Sequence, residues 1–397
     1  MVNFKDLTLL ILTPDFPDED NRYIGAVYVK NQIELLKPYF KRINVICPVL
    51  SSYKYMSNDR YCNNYQYDNV FIYYPRCVFI PRLIPIVPNK VKIYFDFRLD
   101  AIIQCMHDNH LRFDLIHSHF TYPTSYCAYL LNRLYNIPYI MTINEDSGWL
   151  NDEIQSNNNI FINIWKSASN LIVINSSDSS KLKIYNKNTN IIPYSVNQMF
   201  FPKSKSYCRD YLGIPQNIKM LFTIGIIQRR KGYDYLIRSL IDVCNEYPDI
   251  RCYIGGNYEL EKAYGESLKK LVTILKLDKN IYFTGFIHTS ELPLWMNACD
   301  LYVSSSLEEG FGITQIEALS CGKPVIATKT AGSLDIITND NGILCERANS
   351  INLSNAILSG FQNDWDTSLI LKSVTKYNYN NILKKLLNTY REVLDDR

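Results

Sequence analysis

Residues 304–319 read SSSLEEGFGITQIEAL and place Glu309 and Glu317 eight positions apart across a glycine-bearing turn. Residues 300–304 before it, Asp-Leu-Tyr-Val-Ser, have the apolar character of a short buried strand, and the residues after Gly312 have helix-forming composition. One carboxylate therefore belongs to a strand-to-helix loop and the other to the helix it opens. With the helix starting at Ile313, Ile316 and Leu319 share an apolar face, and Glu317 falls on its flank, where a carboxylate needs a polar partner. Gly310 and Gly312 let backbone approach a ligand closely, and the helix N-terminus adds N–H groups and a positive dipole end. The stretch describes an anion or polyol site at the carboxyl end of a strand, where open α/β sheets bind their ligands. Either glutamate alone reads as a surface residue; the ordered pattern does not.

Outward from this stretch the chain alternates. Strand-like apolar runs occur at 7–13, 43–49, 70–74, 115–117, 139–143, 171–174, 220–227, 250–256 and 280–287, with helical stretches at 91–106, 122–134, 233–243 and 259–275 between them. Strands alternating with helices predict parallel sheets with right-handed crossovers. The 397 residues suit two such domains. No G-x-G-x-x-G follows the first strand, so a nicotinamide or flavin site loses its main support.

Composition narrows the classes further. Hydrophobic residues make up 47% and charged residues 20% of the chain, as in a soluble globular protein, and a net charge of +3 argues against a dedicated nucleic-acid binder. Eleven cysteines without a C-x-x-C pair read as buried free thiols in a reducing cytosol, and no metal-ligand cluster is apparent. Asp18-Glu-Asp20 lies in a loop and reads as solvated surface. The apolar run at 7–12 is too short for a signal peptide core or a membrane span, so any membrane contact is peripheral. Residues 74–92, YPRCVFIPRLIPIVPNKVK, are apolar, basic and broken by prolines; they predict a loop or broken helical lid. Arg76 and Arg82 there suit an acceptor or membrane-surface element, with a packed connection as the alternative.

The run 308–328, EEGFGITQIEALSCGKPVIAT, closely resembles the E-x7-E signature of the retaining glycosyltransferases of glycosyltransferase family 4, which have the GT-B fold. The resemblance implies an α/β protein of two Rossmann-like doubly wound domains facing a central cleft. Residues 1–203 would form the acceptor-side domain, 204–376 the nucleotide-sugar domain, and 377–397 a helix packing back on the first. It implies that Glu309 serves the transferred sugar and Glu317 the ribose. Lys231 and Arg230 would meet the donor diphosphate, with Gly310, Phe311, Gly312, Ile313 and Gly25 beside them and Ile287 near the base. Asp114-Leu-Ile-His-Ser-His119 resembles the family's D-x-I-H-x-H strand end, which makes His119 a catalytic candidate; Asn144, Arg76 and Arg82 complete the acceptor side. Neither metal nor cofactor is implied. The expected partners are a UDP- or GDP-sugar and a glycan or lipid-linked glycan, at a cytoplasmic location with contact at the membrane face.

The chain departs from the family at informative places. In Gly225-Ile-Ile-Gln-Arg-Arg-Lys-Gly232 the lysine and its glycine match, but Ile226 stands where the family has the arginine that holds the diphosphate, leaving Arg229 or Arg230 to supply the charge. Thr142-Ile-Asn-Glu-Asp146 puts Asn144 in place of a histidine and Glu145 in place of a glycine; asparagine can bond a sugar hydroxyl but carries no proton. Ala26 follows Gly25 where a second glycine is common. These departures keep two alternatives open: a non-catalytic binding or scaffolding subunit of a glycan assembly complex, and a nucleotide-sugar epimerase on a similar fold.

Overall fold

The computed structural model describes residues 3–20, 25–52, 62–79, 90–145, 147–258 and 260–395. The chain divides into two compact units, Met1–Pro193 with Leu383–Arg397, and Tyr194–Ile382.

The first unit carries β1 (Thr8–Leu12), β2 (Arg42–Ile46), β3 (Val49–Ser52), β4 (Tyr65–Tyr67), β5 (Val70–Tyr73), β6 (Arg76–Phe79), β7 (Leu115–His119), β8 (Tyr139–Ile143), β9 (Asn170–Val173) and β10 (Thr189–Ile191). Eight of these form one sheet in the order β10-β9-β8-β7-β1-β2-β5-β4, with β4 its antiparallel edge. Leu9 to Leu12 of β1 are fully buried, as befits a parallel strand covered on both faces. The apolar run at 43–49 is two strands rather than one: Pro48 has no N–H to give a ladder, and the chain leaves β2 at Ile46 and restarts at Val49 beside β6. Within 74–92, expected as loop or broken helix, residues 76–79 are the strand β6 and Lys90 begins the helix Lys90–Asp108. Residues 80–89, Arg82 among them, lie outside the described residues. The helix expected from 122 begins at Tyr126, because Tyr122 precedes Pro123 and is extended at φ −126°, ψ 137°.

The second unit carries β11 (Met220–Ile224), β12 (Arg251–Gly255), β13 (Ile281–Gly285), β14 (Leu301–Ser304), β15 (Val325–Thr328) and β16 (Gly342–Cys345) in one parallel sheet ordered β13-β12-β11-β14-β15-β16. Counted within the unit this is the doubly wound order 3-2-1-4-5-6, whose direction reverses between β11 and β14. The same reversal occurs in the first unit between β1 and β7. Residues 202–204 lead into the helix Lys205–Leu212 of this unit. Its Arg209 is 1% exposed and bonds the Ala298 carbonyl at 2.9 Å and the Asp300 carboxylate at 2.9 Å. Asp300 also accepts Met220 N–H at 2.7 Å, so the two strands flanking the reversal are pinned together at their starts.

The helix Tyr379–Asp395 closes the chain, and from Leu383 on it belongs to the first unit. Its Tyr390 hydroxyl lies 2.6 Å from His117 Nδ1, and its ring meets Phe40 edge-on at 5.9 Å. His117 Nε2 is matched to Thr142 Oγ1 at 2.7 Å, so both ring nitrogens of a wholly buried imidazole are occupied. Tyr390→Phe strands one of them. The expected loss is about 1–3 kcal/mol, read as a lower urea midpoint at unchanged slope.

Candidate active site

At the reversal of the second sheet, the loop leaving β11 meets the loop leaving β14. Gly232 makes the meeting possible: its backbone is left-handed at φ 61°, and a β-carbon there would lie 2.2 Å from the Ser305 carbonyl oxygen. Two bonds lock the loops, Ser305 Oγ to the Lys231 carbonyl at 2.9 Å and Leu307 N to the Arg230 carbonyl at 2.7 Å. Lys231 Nζ is thereby brought onto Glu309 Oε2 as an ion pair, which the Ser306 hydroxyl joins at 3.3 Å. Burial works to raise the Glu309 pKa, but Lys231, Arg230 and Ser306 outweigh it, and the carboxyl titrates below its usual range.

The basic turn Arg229–Lys231 sorts its cations. Arg229 places its guanidinium over the Tyr264 ring, 5.2 Å from the centroid, while Arg230 bonds Gln228 Oε1 at 3.3 Å and adds its field to Glu309. Ile226 is 43% exposed and offers no charge. Of the two arginines, Arg230 is the one on the Glu309 side.

Gly310, Phe311 and Gly312 run from Glu309 into the helix Ile313–Ser320, with Gly312 at φ 100° as its cap. Glu317 sits one turn into that helix, and burial pushes its carboxyl up to about 8. Three buried serines at 304–306, flanked by an apolar strand, supply the polar lining: Ser304 Oγ accepts from Gln315 Nε2 at 3.4 Å, and Ser333 Oγ accepts from the same nitrogen at 2.9 Å. Gln315 Oε1 is buried with no hydrogen-bond partner. Neither these serines nor Gln315 were singled out from sequence, although a polar triplet ending an apolar strand was the available signal. Ile287 follows β13, two strands from β11, and its side chain packs under Gly255 in the core.

On the first unit, β7 ends in His119 beside the reversal, and β8 leads to Asn144. Asn144 Oδ1 lies 3.0 Å from His119 Nδ1, so the ring donates there and Nε2 keeps its lone pair; Nε2 is buried and without a hydrogen-bond partner. Burial pushes the His119 pKa down to about 4, and the bond to Asn144 opposes this only in part. The His117 and His119 rings stack at 4.7 Å, as their shared strand face predicts. Glu145 accepts Thr121 N–H at 2.5 Å, and its other oxygen is buried without a partner, as is Oε2 of Glu153 on the next helix. Burial raises both carboxyl pKa values, and the Glu145 charge raises that of Glu153 further. Gly25 lies against the Asp15 carboxylate. Arg76 sits on β6 in the separate two-stranded pair, off the strands that carry His119 and Asn144. Among the described residues, no group of three or more His, Cys, Asp or Glu could hold a metal ion, and no helix is long and apolar enough to cross a membrane.

Known proteins resemble both the sequence and the fold. Residues 208–380, within the second unit, match the family Glycosyl transferases group 1. The D-inositol 3-phosphate glycosyltransferase of Arthrobacter sp. is 28% identical over 251 residues, covering 60% of this chain and 59% of that protein. The mannosylfructose-phosphate synthase of Agrobacterium fabrum is 33% identical over 155 residues, covering 37% of this chain and 34% of that one. Among solved structures, sucrose-phosphate synthase from Thermosynechococcus elongatus superposes with a TM-score of 0.77 at 18% identity, covering 98% of this chain and all of the other. Anabaena HepE, solved with UDP and glucose, superposes with a TM-score of 0.74 at 20% identity, covering 97% of this chain and all of HepE. The architecture is GT-B, two Rossmann-like α/β domains with parallel sheets.

Asn144→Asp would place a carboxylate on the His119 N–H and favour the imidazolium. The His119 pKa should rise from about 4 by roughly 1–3 units. An NMR titration of its Cε1–H, identified by its loss in His119→Gln, checks the shift.

Proposed function

We propose that the chain is a retaining glycosyltransferase of glycosyltransferase family 4 that moves a sugar from a UDP- or GDP-sugar to a glycan or lipid-linked glycan, at the cytoplasmic membrane face. The Lys231–Glu309 ion pair at the strand reversal of a group 1 glycosyltransferase domain carries this reading.

The chemistry follows from the charges. Transfer breaks the bond from the anomeric carbon to the phosphate while the sugar becomes cation-like and the departing phosphate gains negative charge. When donor enters, Lys231 exchanges Glu309 for the diphosphate, with Arg230 beside it. Glu309, left ionised, accepts from the sugar hydroxyls and stabilises positive charge at the anomeric region. Glu317 accepts from the ribose hydroxyls, and Ile287 supplies backbone near the base. Retention requires the acceptor oxygen to bond the same face that the phosphate leaves, and the departing phosphate oxygen takes the acceptor's proton. No protein base is needed on that path, which makes Asn144 compatible with turnover. The cations of the chain serve the diphosphate, so we read the reaction as metal-independent. The acceptor is assigned to the first unit, beside His119 and Asn144.

A second reading, a binding subunit without turnover, is favoured by the exposed apolar Ile226. Nucleotide release from UDP- and GDP-sugars with lipid-linked acceptors separates the two: binding without turnover would support the subunit, and sugar isomerisation without acceptor an epimerase. For the enzyme, Glu309→Ala should lower kcat by about 100-fold or more. Lys231→Ala should weaken donor binding by roughly 10- to 100-fold, and unchanged affinity would overturn the phosphate assignment.

Glu317 adds a pH dependence. With its pKa raised to about 8, the carboxyl holds its proton at neutral pH in the empty site, whereas ribose hydroxyls favour the carboxylate. Donor binding should therefore release a proton, and affinity should rise with pH until about pH 8 and then level off. Calorimetry in buffers of different ionisation enthalpy reads the proton, and Glu317→Gln should abolish the dependence.

A further inference from the structure

Phe311 lies between the two glutamates in sequence, yet its ring is turned inward and is 3% exposed. Two tyrosine rings meet it edge to face, Tyr194 at 5.6 Å and 74° and Tyr377 at 5.5 Å and 73°. Such pairs constrain ring orientation as well as bury area. The tyrosines come from opposite ends of the second unit, and their segments are tied together where Val196 N donates to the Tyr377 carbonyl at 3.0 Å. Tyr377 is itself held, its hydroxyl 3.3 Å from the Asp335 carbonyl.

The backbone of Phe311 is confined from another side. Gly332, on the helix Ala331–Ile336, comes so close that a β-carbon would lie 1.8 Å from the Phe311 carbonyl oxygen, and its N–H donates to the Glu309 carbonyl at 3.3 Å. Ring and backbone are therefore both fixed, and between them they set the path from Glu309 to the Gly312 cap. A loop with two glycines would otherwise have wide conformational freedom. Glu309, which meets Lys231, begins that path, and Gly312, which caps the helix, ends it.

We propose that Tyr194 and Tyr377 are positioning residues of the donor site: by clamping the Phe311 ring they fix the backbone that presents Glu309 to Lys231. The proposal rests on the reading of this loop as the donor site. Neither tyrosine need touch the donor; each acts through Phe311. A small displacement of a positioned group is enough to cost a large part of the rate.

The test reads the loop and the donor separately. Hydrogen–deuterium exchange over residues 308–316 reports the clamp without any ligand, and calorimetry with UDP and GDP, followed by kcat and KM for the preferred donor sugar, reports its consequence. Tyr194→Leu and Tyr377→Leu should accelerate exchange in 308–316 and lower kcat/KM by about tenfold or more, whereas Tyr194→Phe, which keeps the ring, should restore both. Phe361→Leu, which removes the edge-to-face pair of Phe361 with Tyr247 elsewhere in the unit, serves as the control: a comparable loss of Tm should leave 308–316 unchanged. Leucine variants with wild-type exchange in 308–316, or exchange that rises equally in the Phe361 control, would overturn the proposal. Faster exchange in a protein whose wild type binds neither nucleotide and releases none would instead overturn the donor reading while establishing the clamp.

Discussion

The second unit depends on a place where only hydrogen fits. A side chain at position 232 would occupy the space of the Ser305 carbonyl, and the backbone there is already left-handed. Because glycine stands there, the loops after β11 and β14 touch, and these are the strands between which the sheet order reverses. In a doubly wound sheet, loops on either side of that point diverge and leave a crevice. Here the crevice is closed at its floor by the Ser305–Lys231 and Leu307–Arg230 bonds, and charge is concentrated on it. Lys231 and Glu309, 78 positions apart, are partners because of that floor.

The two units treat charge in opposite ways. Lys231 and Glu309 keep side-chain exposures of 14% and 18%, so the pair stays wet enough to change partners without stranding an ion in apolar surroundings. Around the ends of β7 and β8 in the first unit, four titratable groups are driven toward neutrality. Burial lowers the pKa values of His117 and His119 and raises those of Glu145 and Glu153. A neutral imidazole whose buried Nε2 has no hydrogen-bond partner can accept a hydrogen bond there.

Strand and helix were legible wherever the pattern was local. The strand at 301–304, the glycine turn and the helix from Ile313 follow from composition and period, whereas Lys231-Gly232 was marked only by its resemblance to the family's loop. Features that depend on distant neighbours could not be read. Residues 76–79 form a strand because β3 lies beside them, and no property of that proline-punctuated segment announces the pairing. Nothing in the sequence marks Glu153 as buried; it lies beside Glu145 and Thr121, which follow β8 and β7. Tyr194 and Tyr377 are two aromatics among many until the fold sets both against Phe311.

With Ile226 uncharged, the cations nearest it in sequence are those of the turn 229–231, and the fold sorts them. A three-residue helical turn projects successive side chains about 120° apart, so three consecutive cations on it cannot all face one anion. Arg229 is taken up by Tyr264, and Lys231 is committed to Glu309. Arg230 remains, anchored through its carbonyl by Leu307 and directed by Gln228, with its field on the same carboxylate. Arg230 stands on the turn that the Ser305 loop holds down. The second cation of the site is therefore tied to the same contact that positions the first.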